Sequence, residues 1–126
     1  MLNDCDIIAF VTTTDPERAT RFYRDVLGLR LVADEAHALV FDAHGTMLRI
    51  AKGRELFPAK HTVLGWRVPD IRAAVAGLGG RGVVFERYGF LAQDDLGIWA
   101  APGGAKVAWF QDPDGNVLSI TEWKRD

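Results

Sequence analysis

Arg49 and Arg67 each sit inside an apolar run, in Met47-Leu48-Arg49-Ile50 and Gly65-Trp66-Arg67-Val68. Side chains alternate along a strand, so each arginine falls on the face opposite its large apolar neighbours. A guanidinium there is costly unless it meets a carboxylate, water or a charged guest. Its planar fork of donors matches a carboxylate or phosphate. Three readings stay open: a pocket that recognises anions, an internal ion pair with a carboxylate such as Asp42 or Glu86, or an open pocket mouth where the arginine is simply hydrated. His61 lies two residues before Val63, on the same side of a strand, and is the candidate general base. His37 and His44 fall in turns, where they read as surface residues; a two-histidine site with Asp42 is a weaker alternative. Trp99, Trp109 and Tyr88 could form a stacking wall for a planar guest, or could be plain core. Asp94-Asp95 reads as a solvated loop tip.

The elements that place these residues follow from local chemistry. Residues 6–13 (DIIAFVTT) form an apolar run suited to a strand. Asp15 then caps a helix, with Pro16 at its tolerated first position and Glu17 at the positive end of its dipole. Ala19, Phe22, Tyr23, Val26 and Leu27 recur at helical spacing as one buried face, and Gly28 closes it. Strands are expected at 29–34, 38–42 and 46–51. The second half repeats the plan, with a strand at 62–68 and a helix capped by Asp70 whose apolar face is Ile71, Ala74, Val75 and Leu78. Strands follow at 83–88, 105–111 and 117–123. The two caps are about fifty-five residues apart, and this internal repeat organises the chain. A βαβββ unit exposes one sheet face and cannot bury it alone. Asp112-Pro113-Asp114-Gly115-Asn116 is a tight turn joining the last two strands. Residues 89–104 are poorly patterned and read equally as a lid or as a surface excursion with a short strand near 98–100.

Composition bounds the function. The chain has 126 residues, is 48% hydrophobic and carries a formal net charge of −2. That is one globular domain with a sizeable core, and no basic field of the kind that holds nucleic acid. No apolar run approaches a membrane span, and the opening MLNDCD lacks the apolar core of a signal peptide. Cys5 is the only cysteine. It rules out an internal disulfide, reads as a structural thiol and fits a reducing compartment. A cytoplasmic protein is expected.

Residues 21–31 (RFYRDVLGLRL), which end a helix and start a strand, and 108–122 (AWFQDPDGNVLSITE) together resemble the glyoxalase / bleomycin-resistance / extradiol-dioxygenase superfamily, the vicinal oxygen chelate fold. The resemblance covers essentially the whole chain. It implies an α+β fold of paired βαβββ modules, 1–52 and 61–126, within one domain: a curled mixed sheet around a central pocket, helices outside. It also implies a divalent metal held by His, Glu or similar ligands on four strands. Aligned on the helix caps and DPDG, those positions fall at Ile8, Arg49, Val63 and Ser119. Isoleucine and valine have no lone pair, arginine stays cationic, and serine is a weak ligand. Neither metal nor cofactor is therefore expected, and no catalytic residue is assigned.

The resemblance also implies relatives that sequester antibiotics without metal chemistry. The leading expectation is a metal-independent small-molecule-binding protein, for an anionic metabolite or an antibiotic. Arg49, Arg67, Ser119, Thr121, Phe10, His61, Trp99 and Trp109 are its expected ligand-binding residues. The alternatives are a metal-free lyase or isomerase, with an arginine at the oxyanion and His61 as base, or an interaction domain with a vestigial pocket. The expected partners are a small-molecule ligand and a second copy in a homodimer, with neither nucleic acid nor membrane.

Overall fold

The computed structural model describes residues 1–123, so positions 124–126 of the expected second module lie outside the described residues. The chain divides into two compact units, Met1–Pro58 and Ala59–Asp126, each built on its own four-stranded mixed sheet. The first unit opens with a short 3-10 turn, Leu2–Asp4. It continues through β1 (Ile8–Thr13), α1 (Pro16–Thr20), β2 (Arg30–Asp34), β3 (Ala38–Ala43) and β4 (Thr46–Lys52). Its strand order is β1-β4-β3-β2, with β1 parallel to β4 and the other pairs antiparallel.

Asp15 caps α1 as expected, its Oδ1 accepting the Arg18 amide at 3.1 Å. The helix does not stay α-helical, however: Arg21–Val26 is π-helical. The wider turn ends in an i→i−5 bond from Leu27 N to Phe22 O at 3.0 Å. Gly28 then reverses the chain at φ +77°, a conformation that glycine adopts without steric cost. Of the expected apolar face, Ala19 and Tyr23 are buried, while Phe22, Val26 and Leu27 are only half-buried. Val11, Leu39, Phe41, Leu48 and Ile50 form the buried face of this sheet, and the Tyr23 ring meets Phe41 at 6.0 Å.

The second unit comprises β5 (Leu64–Arg67), α2 (Ile71–Gly79), β6 (Trp99–Ala100), β7 (Lys106–Gln111) and β8 (Val117–Glu122). The order β5-β8-β7-β6 repeats that of the first unit, down to the parallel pairing of the first and last strands. Asp70 Oδ1 caps α2 through the Ala73 amide at 3.1 Å. Glu122 Oε1 accepts the Ile71 amide at 3.0 Å, which ties the start of the helix to β8. No helix among the described residues is long and apolar enough to cross a membrane.

One expected strand needs correction. The strand at 83–88 does not form; this stretch makes one backbone bond to the sheet, from Glu86 N to Trp109 O at 2.8 Å. Gln93 takes over the neighbouring backbone groups: its Oε1 accepts the Tyr88 amide at 2.7 Å and its Nε2 donates to Glu86 O at 2.9 Å. Once a side chain satisfies these groups, no strand partner is required. The edge of the second sheet falls instead to the two-residue β6. The α+β fold of βαβββ modules is as expected, each module carrying its own mixed four-stranded sheet.

The Asp112–Asn116 turn is built on a buried carboxylate. Asp112 Oδ1 accepts the amides of Asp114 and Asn116 at 3.0 and 2.9 Å, and Oδ2 accepts Asn116 Nδ2 at 2.8 Å. Gly115 supplies the left-handed corner at φ +87°. Removing a carboxylate that serves several donors leaves buried groups unpaired, at a cost of about 2 kcal/mol or more. Asp112→Ala should therefore lower the urea midpoint by a corresponding amount without changing the slope. An unchanged midpoint would mean that the hairpin is held by its strands alone.

Candidate functional site

In the first unit the register brings the open-face residues into rows. Ile8 pairs with Met47, Met47 with Asp42, and Asp42 with Arg30; Phe10 pairs with Arg49, and Arg49 with Val40. This is the alternation expected from the sequence, with Leu48 and Ile50 on the buried face. Phe10 is 61% exposed and Ile8, Val32 and Met47 are also exposed, so an apolar strip lies open to solvent. Beside it is a cleft of about 390 Å3, lined by Asp6, Ile7, Ile8, Arg30, Val32, Val40, Phe41, Asp42, Gly45 and Met47. Ligand sites span roughly 300–1,000 Å3, so the cleft can take a small organic molecule.

Arg49 is ion-paired, but with neither carboxylate named from the sequence. Its Nη2 lies 3.0 Å from Glu35 Oε1. Asp42 is engaged elsewhere, 3.7 Å from Arg30 and accepting the Gly45 amide at 3.2 Å. Lys52 Nζ reaches Asp34 Oδ1 at 2.5 Å and Glu35 O at 2.7 Å, which fastens the β2–β3 turn onto β4. His37 and His44 are exposed in turns.

In the second unit Arg67 pairs with Thr121, Thr121 with Val107, and Val107 with Trp99; Gly65 pairs with Ser119, and Ser119 with Trp109. Five expected site residues, Arg67, Ser119, Thr121, Trp99 and Trp109, therefore share one face of this sheet. Ser119 is buried, at 6% exposure. A Cβ built on Gly65 would lie 3.0 Å from Ser119 Oγ, so any larger residue here would press on Ser119. Arg67 is exposed and has no ion-pair partner among the described residues. His61 is the outlier: it is exposed in the irregular segment before β5, outside the strands.

The aromatic residues form a continuous row. Trp99 and Trp109 lie 5.9 Å apart, Trp109 and Tyr88 5.5 Å, and Tyr88 and Phe90 5.7 Å between ring centroids. Burial, and secondly the Glu86 carboxylate, push the Tyr88 hydroxyl above its ordinary pKa. The loop carrying Tyr88 and Phe90 is braced rather than loose. Asp94 is no solvated tip, as the sequence suggested, but the organiser of the loop: its Oδ1 accepts the amides of Leu96 and Ile98, both at 2.9 Å. Arg72 of α2 reaches Asp94 Oδ2 at 3.3 Å, and Arg87 donates to the Asp94 and Asp95 carbonyls. Asp94-Asp95-Leu96-Gly97, with Gly97 at φ +87°, is a turn pattern that would have flagged this role.

Four positions fall to a metal by the family resemblance: Ile8 and Arg49 in the first unit, Val63 and Ser119 in the second. Their side chains do not fit one: there is no imidazole, carboxylate or thiolate, and the serine is buried against Gly65. Among the described residues, no group of three or more His, Cys, Asp or Glu is placed to hold a metal ion.

The family model for the Glyoxalase/Bleomycin resistance protein/Dioxygenase superfamily matches residues 6–120. The chain belongs to this superfamily. No curated protein matches it in sequence. Among solved structures, it is similar to TnmS3, an antibiotic binding protein from Streptomyces sp. CB03234, with 26% identity, TM-score 0.74, and 98% of this chain and 99% of that one covered. A superfamily member from Sphaerobacter thermophilus DSM 20745 is 24% identical, with TM-score 0.76 and coverage of 98% and 100%. A lactoylglutathione lyase from Agrobacterium tumefaciens is 18% identical, with TM-score 0.71 and coverage of 94% and 93%; at that identity it shows the shared fold alone.

This superfamily member holds its aromatic row through Asp94, and the carboxylate carries a pH dependence. Burial pushes its pKa up, but the amides of Ile98 and Leu96 and the cations of Arg72 and Arg87 outweigh it, so it lies below its ordinary value of 3.8. A carboxylate depressed on folding stabilises above its unfolded pKa, and that contribution fades as pH falls through the folded pKa. Asp94→Asn should reduce hydrogen-exchange protection of the Leu96 and Ile98 amides severalfold at pH 7. As pH falls from 3.8 through the lower folded value, the wild type should converge on the variant. Equal protection at neutral pH would show that the loop stands without this carboxylate.

Proposed function

We propose that the chain is a metal-independent binding protein for a small organic molecule, an antibiotic or a metabolite with a planar apolar body. The binding residues are those on the open faces of its sheets: Phe10 and Arg49 in the first unit, Arg67, Ser119, Thr121, Trp99 and Trp109 in the second. One observation carries this reading. A row of aromatic rings on a braced loop and strand shares a sheet face with a hydroxyl, Thr121, and an arginine without a partner among the described residues, Arg67. Rings offer stacking area at low entropic cost, and the hydroxyl and guanidinium give a guest's oxygens a fixed place to bond. The similarity to an antibiotic binding protein at 26% identity supports binding over turnover. The donor-poor set Ile8, Arg49, Val63 and Ser119 supports metal independence. A lyase or isomerase has no such support, because its candidate base His61 stands outside the strands.

Assembly as a homodimer in the cytoplasm is part of the proposal. A sheet edge left open invites pairing with a second chain, and twofold pairing is the commonest closed symmetry.

The direct test is titration with N-phenyl-1-naphthylamine, a neutral planar probe, read by quenching of tryptophan emission. Wild type should bind it. Trp99→Ala should weaken binding by roughly five- to thirtyfold, the loss expected for one stacked aromatic. Binding that ignores Trp99→Ala and Trp109→Phe alike would remove the aromatic row from the site.

A further inference from the structure

We propose that Glu35 sets the charge selectivity of the first unit's open face, masking Arg49 so that the face takes uncharged apolar molecules and turns anions away. The inference rests on the binding function proposed above and adds a specificity-determining residue to it.

Arg49 has the geometry of an anion site. It stands mid-strand on β4, between Phe10 of β1 and Val40 of β3, and its side chain is only 29% exposed. A cation so placed, beside exposed apolar side chains, is poorly screened and would attract a carboxylate or sulfonate. Glu35 already supplies a carboxylate there, its Oε1 accepting from Arg49 Nη2 at 3.0 Å. The turn carrying Glu35 cannot easily withdraw, because Lys52 holds both the Glu35 carbonyl and the Asp34 carboxylate.

The remaining charges of this face follow the same pattern. On the open face Arg30 lies 3.7 Å from Asp42. Both arginines of the face therefore have a carboxylate partner, while Asp6 lines the cleft as an additional carboxylate. The face has no surplus positive charge, yet it has apolar area and a cleft of about 390 Å3. Arg30 is far more solvated than Arg49, at 72% against 29% exposed, so unmasking Arg49 should matter more than unmasking Arg30.

The test compares two probes of one scaffold: neutral N-phenyl-1-naphthylamine and its sulfonated relative 8-anilino-1-naphthalenesulfonate. Wild type should prefer the neutral probe, and Met47→Glu should weaken that binding. Glu35→Gln should tighten sulfonate binding roughly three- to tenfold, the range for one partly exposed charged contact, and leave the neutral probe within twofold. Arg49→Met combined with Glu35→Gln should erase the gain, and Asp42→Asn should give a smaller one. Glu35→Ala serves as a second variant should the glutamine form melt early, and the same gain is expected of it. The inference is overturned if neither Glu35 variant tightens the sulfonate, or if the gain survives Arg49→Met. Neutral-probe binding that needs Trp99 but ignores Met47→Glu would overturn it too, with the binding function standing. Failure of both probes to bind any form would remove the binding function with it.

Discussion

The pairing of the first strand of each unit with the last, β1 on β4 and β5 on β8, is the constraint from which the rest follows. These parallel pairs lie at corresponding places in the two sheets. They decide which side chains share a face. With Phe10 opposite Arg49, Leu48 and Ile50 enter the core and the arginine stays on the open face. A slip of one residue would bury Arg49 and expose both aliphatic residues, an arrangement costing several kcal/mol. In the second unit the same pairing is close: a side chain at 65 would press on Ser119, 3.0 Å away.

Given that register, the two open faces acquire different chemistry from similar scaffolds. The first has apolar side chains framed by cations that each meet a carboxylate. The second has a ring row, a hydroxyl and an arginine that no described carboxylate neutralises. One βαβββ plan used twice has been specialised by side chains alone, as expected where function is grafted onto a recurring scaffold.

Much of this was legible in the sequence because it depends on short-range rules. The helix caps Asp15 and Asp70, the Asp112 turn and the alternation around Arg49 and Arg67 each involve neighbours a few residues apart. Five of the residues expected to bind ligand share a sheet face for that reason. What escaped depends on where a side chain reaches. The Glu35–Arg49 pair joins a turn to a strand and could not be told from a pair with Asp42 or Glu86. The 83–88 strand had the right residue types, but Gln93 satisfied its backbone groups and left it irregular. Asp94 looked like a loop tip because composition says nothing of the amides it accepts. His61 had the right spacing but precedes the strand that would have carried it.

The scaffold is proposed to bind a small organic molecule without metal. Native mass spectrometry of the protein purified without denaturation or chelator tests it most directly. The prediction is a mass of two chains carrying an organic molecule released on unfolding, with no stoichiometric metal. A species holding one equivalent of a transition metal per site, retained through dialysis and lost with chelator, would contradict the claim.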